Sequence, residues 1–124
     1  MRTLVAGGFV WRHADDPTDP ELEAELLAKG CAERHVRLAT TRNVVTLAER
    51  DEGSLFAVLQ ILGVGGRLFQ LSLFVDDESV VSVLGPRPET FDEDTGELFA
   101  ESLASRALDF TTTGDVVASA FSAI

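Results

Sequence analysis

Residues Leu55 to Leu84 constrain this chain more than any other stretch, because they read as strands that are apolar on both faces. A half-buried antiparallel strand alternates apolar and polar residues. Leu55-Phe56-Ala57-Val58-Leu59-Gln60-Ile61-Leu62 does not alternate, and neither does Leu68-Phe69-Gln70-Leu71-Ser72-Leu73-Phe74-Val75. A sheet built from such strands needs a cover on each side. The chain's own helices can supply one cover. The other is expected to be a ligand pocket, a second subunit, or both.

The polar minority sharpens this. Phe69, Leu71, Leu73 and Val75 share one wholly apolar strand face, whereas Gln70 and Ser72 share the other with Leu68 and Phe74. Gln60 sits likewise with Phe56 and Val58, and Ser82 with Val80 and Leu84. An apolar face with scattered hydrogen-bonding groups suits a pocket lining or an isologous dimer face. It suits equally a sheet edge where those groups meet water.

Turn chemistry orders the rest. Leu4–His13 reads as a first strand, with Phe9, Trp11 and His13 on one face. Asp15-Asp16-Pro17-Thr18-Asp19-Pro20 turns into a helix. Thr18 and Glu21 have capping-box spacing, Leu22, Leu26 and Leu27 form its stripe, and Gly30 stops it. Val36 and Leu38 alternate with His35 and Arg37, as in a short strand, and Asn43–Arg50 reads as another. Turns at Asp51-Glu52-Gly53, Gly63-Val64-Gly65-Gly66 and Asp76-Asp77-Glu78 separate Leu55–Leu62, Arg67–Val75 and Ser79–Leu84. Asp92–Gly96 opens a helix carrying Phe99, Leu103, Ala107 and Phe110. Thr113 caps a last helix whose stripe is Val117, Phe121 and Ile124.

The expected fold is therefore α+β: one domain over 1–124, a curved antiparallel sheet packed against helices. A chain of 124 residues suits one domain. The formal charge of −11 comes from 21 acids and 10 bases, nine of the bases being Arg. It repels nucleic acid and anionic membrane alike. A single cysteine, Cys31, permits no internal disulfide and fits a reducing cytoplasm, and the N-terminus reads as a poor signal peptide.

Chemistry-bearing residues are few. His13, near Asp15 and Asp16, has the makings of a general base or of a plain strand-end histidine. His13, His35, Cys31 and Asp15 lack recognised metal-ligand spacing, so no metal or other cofactor is expected. The glycine run 63–66 leads into a strand rather than a helix, which argues for a hairpin over a phosphate cradle.

Leu4–His13, the meander Val44–Leu84 with its Asp-Asp-Glu turn, and a closing helix with Phe99, Leu103 and Arg106 resemble the SnoaL-like branch of the nuclear-transport-factor-2-like superfamily. That resemblance implies a cone-like sheet, and in its enzymes isomerase, cyclase or hydrolase activity on apolar ring compounds. The catalytic Asp, Tyr and His sets of those enzymes are not matched, and Tyr is absent. Members open with helices, whereas this chain opens near a strand, so Gly114–Ile124 would fill that place from the other end, in a permuted arrangement, or from a neighbouring subunit. The resemblance carries Trp11 and His13 over as pocket positions.

The leading expectation is a small-molecule-binding or interaction domain, homodimeric and cytoplasmic. Its ligand would be apolar and held by Trp11, His13, Phe56, Gln60, Gln70 and Ser72, with no catalytic residue assigned. The alternatives are a SnoaL-like isomerase or cyclase using His13 as base, and a purely structural dimerisation module.

Overall fold

The computed structural model describes residues 1–43, 46–62, 68–86 and 101–122. Its elements are β1 (Arg2–Leu4), β2 (Val10–Ala14), α1 (Pro20–Ala28), α2 (Glu33–Thr40), β3 (Leu47–Asp51), β4 (Ser54–Leu62), β5 (Leu68–Val75) and β6 (Ser79–Leu84). A helical segment over 101–107 (α3) and α4 (Thr113–Ser122) follow. The strands form one open sheet in the order β1-β2-β6-β5-β4-β3, so the fold is α+β.

The meander is as expected. Strands β3 to β6 pair antiparallel in sequence, with Phe56 opposite Phe74, Val58 opposite Ser72 and Gln60 opposite Gln70. The departure lies at β2, which pairs parallel with β6, Trp11 opposite Val80 and His13 opposite Ser82. After β2 the chain crosses the whole sheet through α1 and α2 to reach the far edge. It then zigzags back, arriving beside β2 in the same direction. The single strand expected over Leu4–His13 is broken in two, because Gly8 adopts φ +93° in the intervening loop.

The second departure matters more. Residues 33–40 form helix α2, not a strand. Its buried Ala39 and half-buried His35, Val36 and Leu38 face inward while Glu33, Arg34 and Arg37 face water, which is helical spacing. Over four residues this is indistinguishable from strand alternation. Helix α2 supplies the missing cover. Phe56, Val58, Phe74, Val81 and Val83 pack under α1 and α2 with Leu22, Leu26 and Ala39. On the opposite face Trp11, Leu59, Leu71, Leu73 and Val80 pack under α3 and α4 with Ala107 and Val116. Among the described residues both faces of the sheet are thus packed under the chain's own helices, so a second subunit is not needed to cover either.

Helix ends follow local chemistry, with two shifts of register. Asp19, not Thr18, caps α1 by accepting from Glu21 N at 2.9 Å, with Pro20 in the first turn. At its other end Gly30 (φ +70°) lets Cys31 N reach Leu26 O and Gly30 N reach Leu27 O. Thr112, not Thr113, caps α4. Its hydroxyl accepts from Asp115 N while the Asp115 carboxylate accepts from Thr112 N. The expected glycine turn 63–66, the helix opening at Asp92–Gly96, Phe99 and Ile124 lie outside the described residues, as does the side chain of Phe121. None of the described helices is long and apolar enough to cross a membrane.

Candidate functional site

The six expected ligand residues do not meet. Trp11 and His13 lie on the sheet face under α3 and α4, whereas Phe56, Gln60, Gln70 and Ser72 lie on the face under α1 and α2. The sheet itself separates the two groups.

The first group forms a buried polar line. Trp11 Nε1 donates to Ser82 Oγ at 2.8 Å, and Ser82 Oγ lies 2.7 Å from His13 Nδ1. His13 Nε2 is 3.2 Å from Asp15 Oδ1, and Arg2 donates to Asp15 Oδ2. The two ends set the direction of this line. An indole N–H can only donate and a carboxylate can only accept. In the neutral ring His13 therefore carries its proton on Nε2, and the Ser82 hydroxyl donates to Nδ1. The parallel pairing of β2 with β6 is what brings Ser82 to His13. No local signal in the sequence announces that pairing, so residue spacing alone does not join Ser82 to His13.

Serine, histidine and aspartate in this order are the parts of a nucleophilic triad. Here Ser82 and His13 are both 0% exposed, and the serine oxygen already takes the Trp11 N–H. A nucleophile closed off on every side attacks nothing. The line instead ties β1, β2 and β6 together.

Asp15 is the outer end of this line. Its contact with His13, opposed by burial and helped by Arg2, holds its carboxyl down at about 2 against the usual 3.8. Asp76 behaves similarly in the β5–β6 turn. Burial would raise it, but Lys29 and the backbone N–H groups of Glu78 and Ser79 outweigh burial and hold it at about 2. Both folded-state values lie below the unfolded one. The stabilisation is therefore fully present above pH ~4 and is lost as pH falls from ~4 towards ~2. After allowance for solvent screening it is on the order of 1 kcal/mol per carboxylate. Thermal melts should show the midpoint dropping through that window, and Asp15→Asn should flatten part of the drop. A wild-type midpoint unchanged between pH 4 and pH 2 would refute this assignment.

The second group is equally committed. Gln70 Oε1 accepts from Asn43 N at 2.7 Å, and its Nε2 donates to Thr41 O at 2.9 Å and Leu38 O at 3.3 Å. Gln60 Nε2 donates to Asn43 O at 2.9 Å. The paired glutamines thus hold the chain leaving α2 and satisfy carbonyls that a helix end leaves over. Phe56 stacks on His35 at 4.4 Å and 11°, and His35 Nε2 lies 2.8 Å from Glu49 Oε2. Arg34 chiefly, then His35, keeps the Glu49 carboxyl low. Ser72 is fully buried and its hydroxyl has no hydrogen-bond partner among the described residues.

An open cleft of about 570 Å³ lies elsewhere, at the end of the sheet where the β3–β4 and β5–β6 turns approach the first turns of α4. None of the six expected residues lines it. Among the described residues no group of three His, Cys, Asp or Glu side chains is placed to hold a metal ion.

No protein-family model matches this chain, and no curated protein matches it. Its fold is similar to that of a chain in the structure of the full-length CmaX protein, with a TM-score of 0.60 and 22% sequence identity. The match covers 94% of this chain and 36% of that one, so this chain spans about a third of that protein's length.

Proposed function

We propose that this chain is a non-catalytic interaction domain that recognises its partner on the outer surface. The observation that carries this reading is that the hydrogen bonds of Trp11, Ser82, Gln60, Gln70 and His13 Nδ1 are made inside the fold. Trp11, His13 and Ser82 bond to one another, and Gln60 and Gln70 bond to backbone. A pocket residue needs a polar atom turned towards an opening, and these are turned inward. The occurrence of a similar fold as about a third of a longer chain also suits a module that works through its contacts.

The SnoaL-like isomerase or cyclase reading required His13 at an apolar cavity. With both ring nitrogens facing Ser82 and Asp15 inside the fold, His13 offers no atom to a substrate. The interaction reading needs nothing from it. The first partner to consider is a second copy. Val5, Val10, Leu27 and Leu108 are exposed large apolar side chains, at 55–81% of their full area. Light scattering at micromolar concentration should give twice the 13.4 kDa chain mass. A monomer at every concentration would remove self-association from this proposal.

A further inference from the structure

We propose that the cleft beside α4 binds a zwitterion with an apolar side chain, an amino acid or a short peptide with both termini unblocked. This rests on the reading that the domain binds at its outer surface, and it names one ligand class. The volume, about 570 Å³, falls within the range of small-ligand sites. Its walls offer three kinds of chemistry.

The floor is apolar. Leu55 and Val75, neighbours across β4 and β5, meet Val117 of α4 there. Gly114, Val117 and Ala118 have the three- and four-residue spacing that places them on one stripe of α4. Gly114 and Ala118 keep that stripe low, which leaves room over the floor.

The rim carries charge of both signs. Arg50 stands on β3, Glu52 in the next turn and Asp77 in the β5–β6 turn. Among the described residues none of the three is in an ion pair, whereas Arg2, Arg12, Lys29 and Arg34 all are. A guanidinium with its fork of donors uncommitted suits a carboxylate. Two carboxylates on the same rim suit an ammonium. A simple anion would meet Glu52, Asp77 and a chain of charge −11; a simple cation would meet Arg50. A molecule carrying both charges answers both demands, and an apolar side chain between them would lie on the floor.

Leucyl-leucine is a suitable probe, titrated into the whole chain and followed by amide chemical shifts. Saturable shifts are expected at Gly53, Ser54 and Gly114, confined to the cleft. Arg50→Gln should weaken binding roughly tenfold, as should N-acetylation of the probe, each removing one charge pair. Ala118→Phe places a ring in the cleft from an exposed helix position and should abolish binding with an unchanged circular dichroism spectrum. Absence of saturation at millimolar probe would overturn the proposal. So would equal affinity for the acetylated probe, or shifts that survive both substitutions. Light scattering on the chain alone tests self-association separately, so either result can fail without the other.

Discussion

Trp11→Ala should lose about 4 kcal/mol of stability, within the ~3–5 kcal/mol typical of removing a buried large aromatic. Trp11 is 2% exposed and sits in a row of rings, 6.5 Å from Phe9 and 6.1 Å from Phe110. Phe110 follows α3, so the indole joins the sheet to the helical layer above it. Its N–H also anchors Ser82, which in turn faces His13. Truncation removes the packing and leaves a polar line missing its first donor. For a domain with a typical total of ~5–15 kcal/mol, that loss brings the chain close to unfolding. Trp11→Phe keeps most of the ring and loses the donor, so it should cost only about 1–2 kcal/mol. Trp11 is the sole tryptophan, so urea unfolding has to be followed by circular dichroism rather than fluorescence. A Trp11→Ala midpoint within experimental error of wild type would contradict the buried role. It would also reopen the expectation that this residue lines a ligand pocket.

That expectation shows what could be read from residues alone. The shared face of Phe9, Trp11 and His13 follows from strand parity, and the structure has it. What lies above that face depends on α3 and α4, which are remote in sequence. The meander from β3 to β6 was legible because each strand is a run of β-formers closed by turn residues, and consecutive strands pair. The parallel contact of β2 with β6 was not, since it depends on where a long crossover delivers the chain. A strand at residues 35–38 is the expectation the structure changes most, because four residues are too few to separate the two periodicities. Without α2 the helices cover only one face, and a pocket or a second subunit is then needed for the other. The same omission made Gln60 and Gln70 look like pocket residues. Their partners, Leu38, Thr41 and Asn43, exist as a target only once α2 ends where it does.

Gly8→Ala should cost about 2–3 kcal/mol. Two terms contribute. Gly8 has φ +93°, where a residue with a Cβ is strained by roughly 1 kcal/mol. A Cβ there would also come within 2.7 Å of the Thr111 carbonyl oxygen. That oxygen is backbone, held in register by the hydrogen bond from Gly7 N to Phe110 O at 3.1 Å. It cannot swing aside as a side chain would, so the strand-linking loop and the segment between α3 and α4 must part. Parting them loosens Phe110 from Trp11 and uncovers one face of the sheet. The comparison that isolates this steric term is Gly53→Ala. Gly53 also has positive φ, +78°, but a Cβ there meets nothing within 4 Å. Its cost should be the backbone strain alone, roughly 1 kcal/mol. Paired urea melts should therefore place Gly8→Ala well below Gly53→Ala, with greater binding of a hydrophobic dye by the former. Equal losses in the two variants would mean that the Gly8 loop does not hold the α3–α4 layer on the sheet.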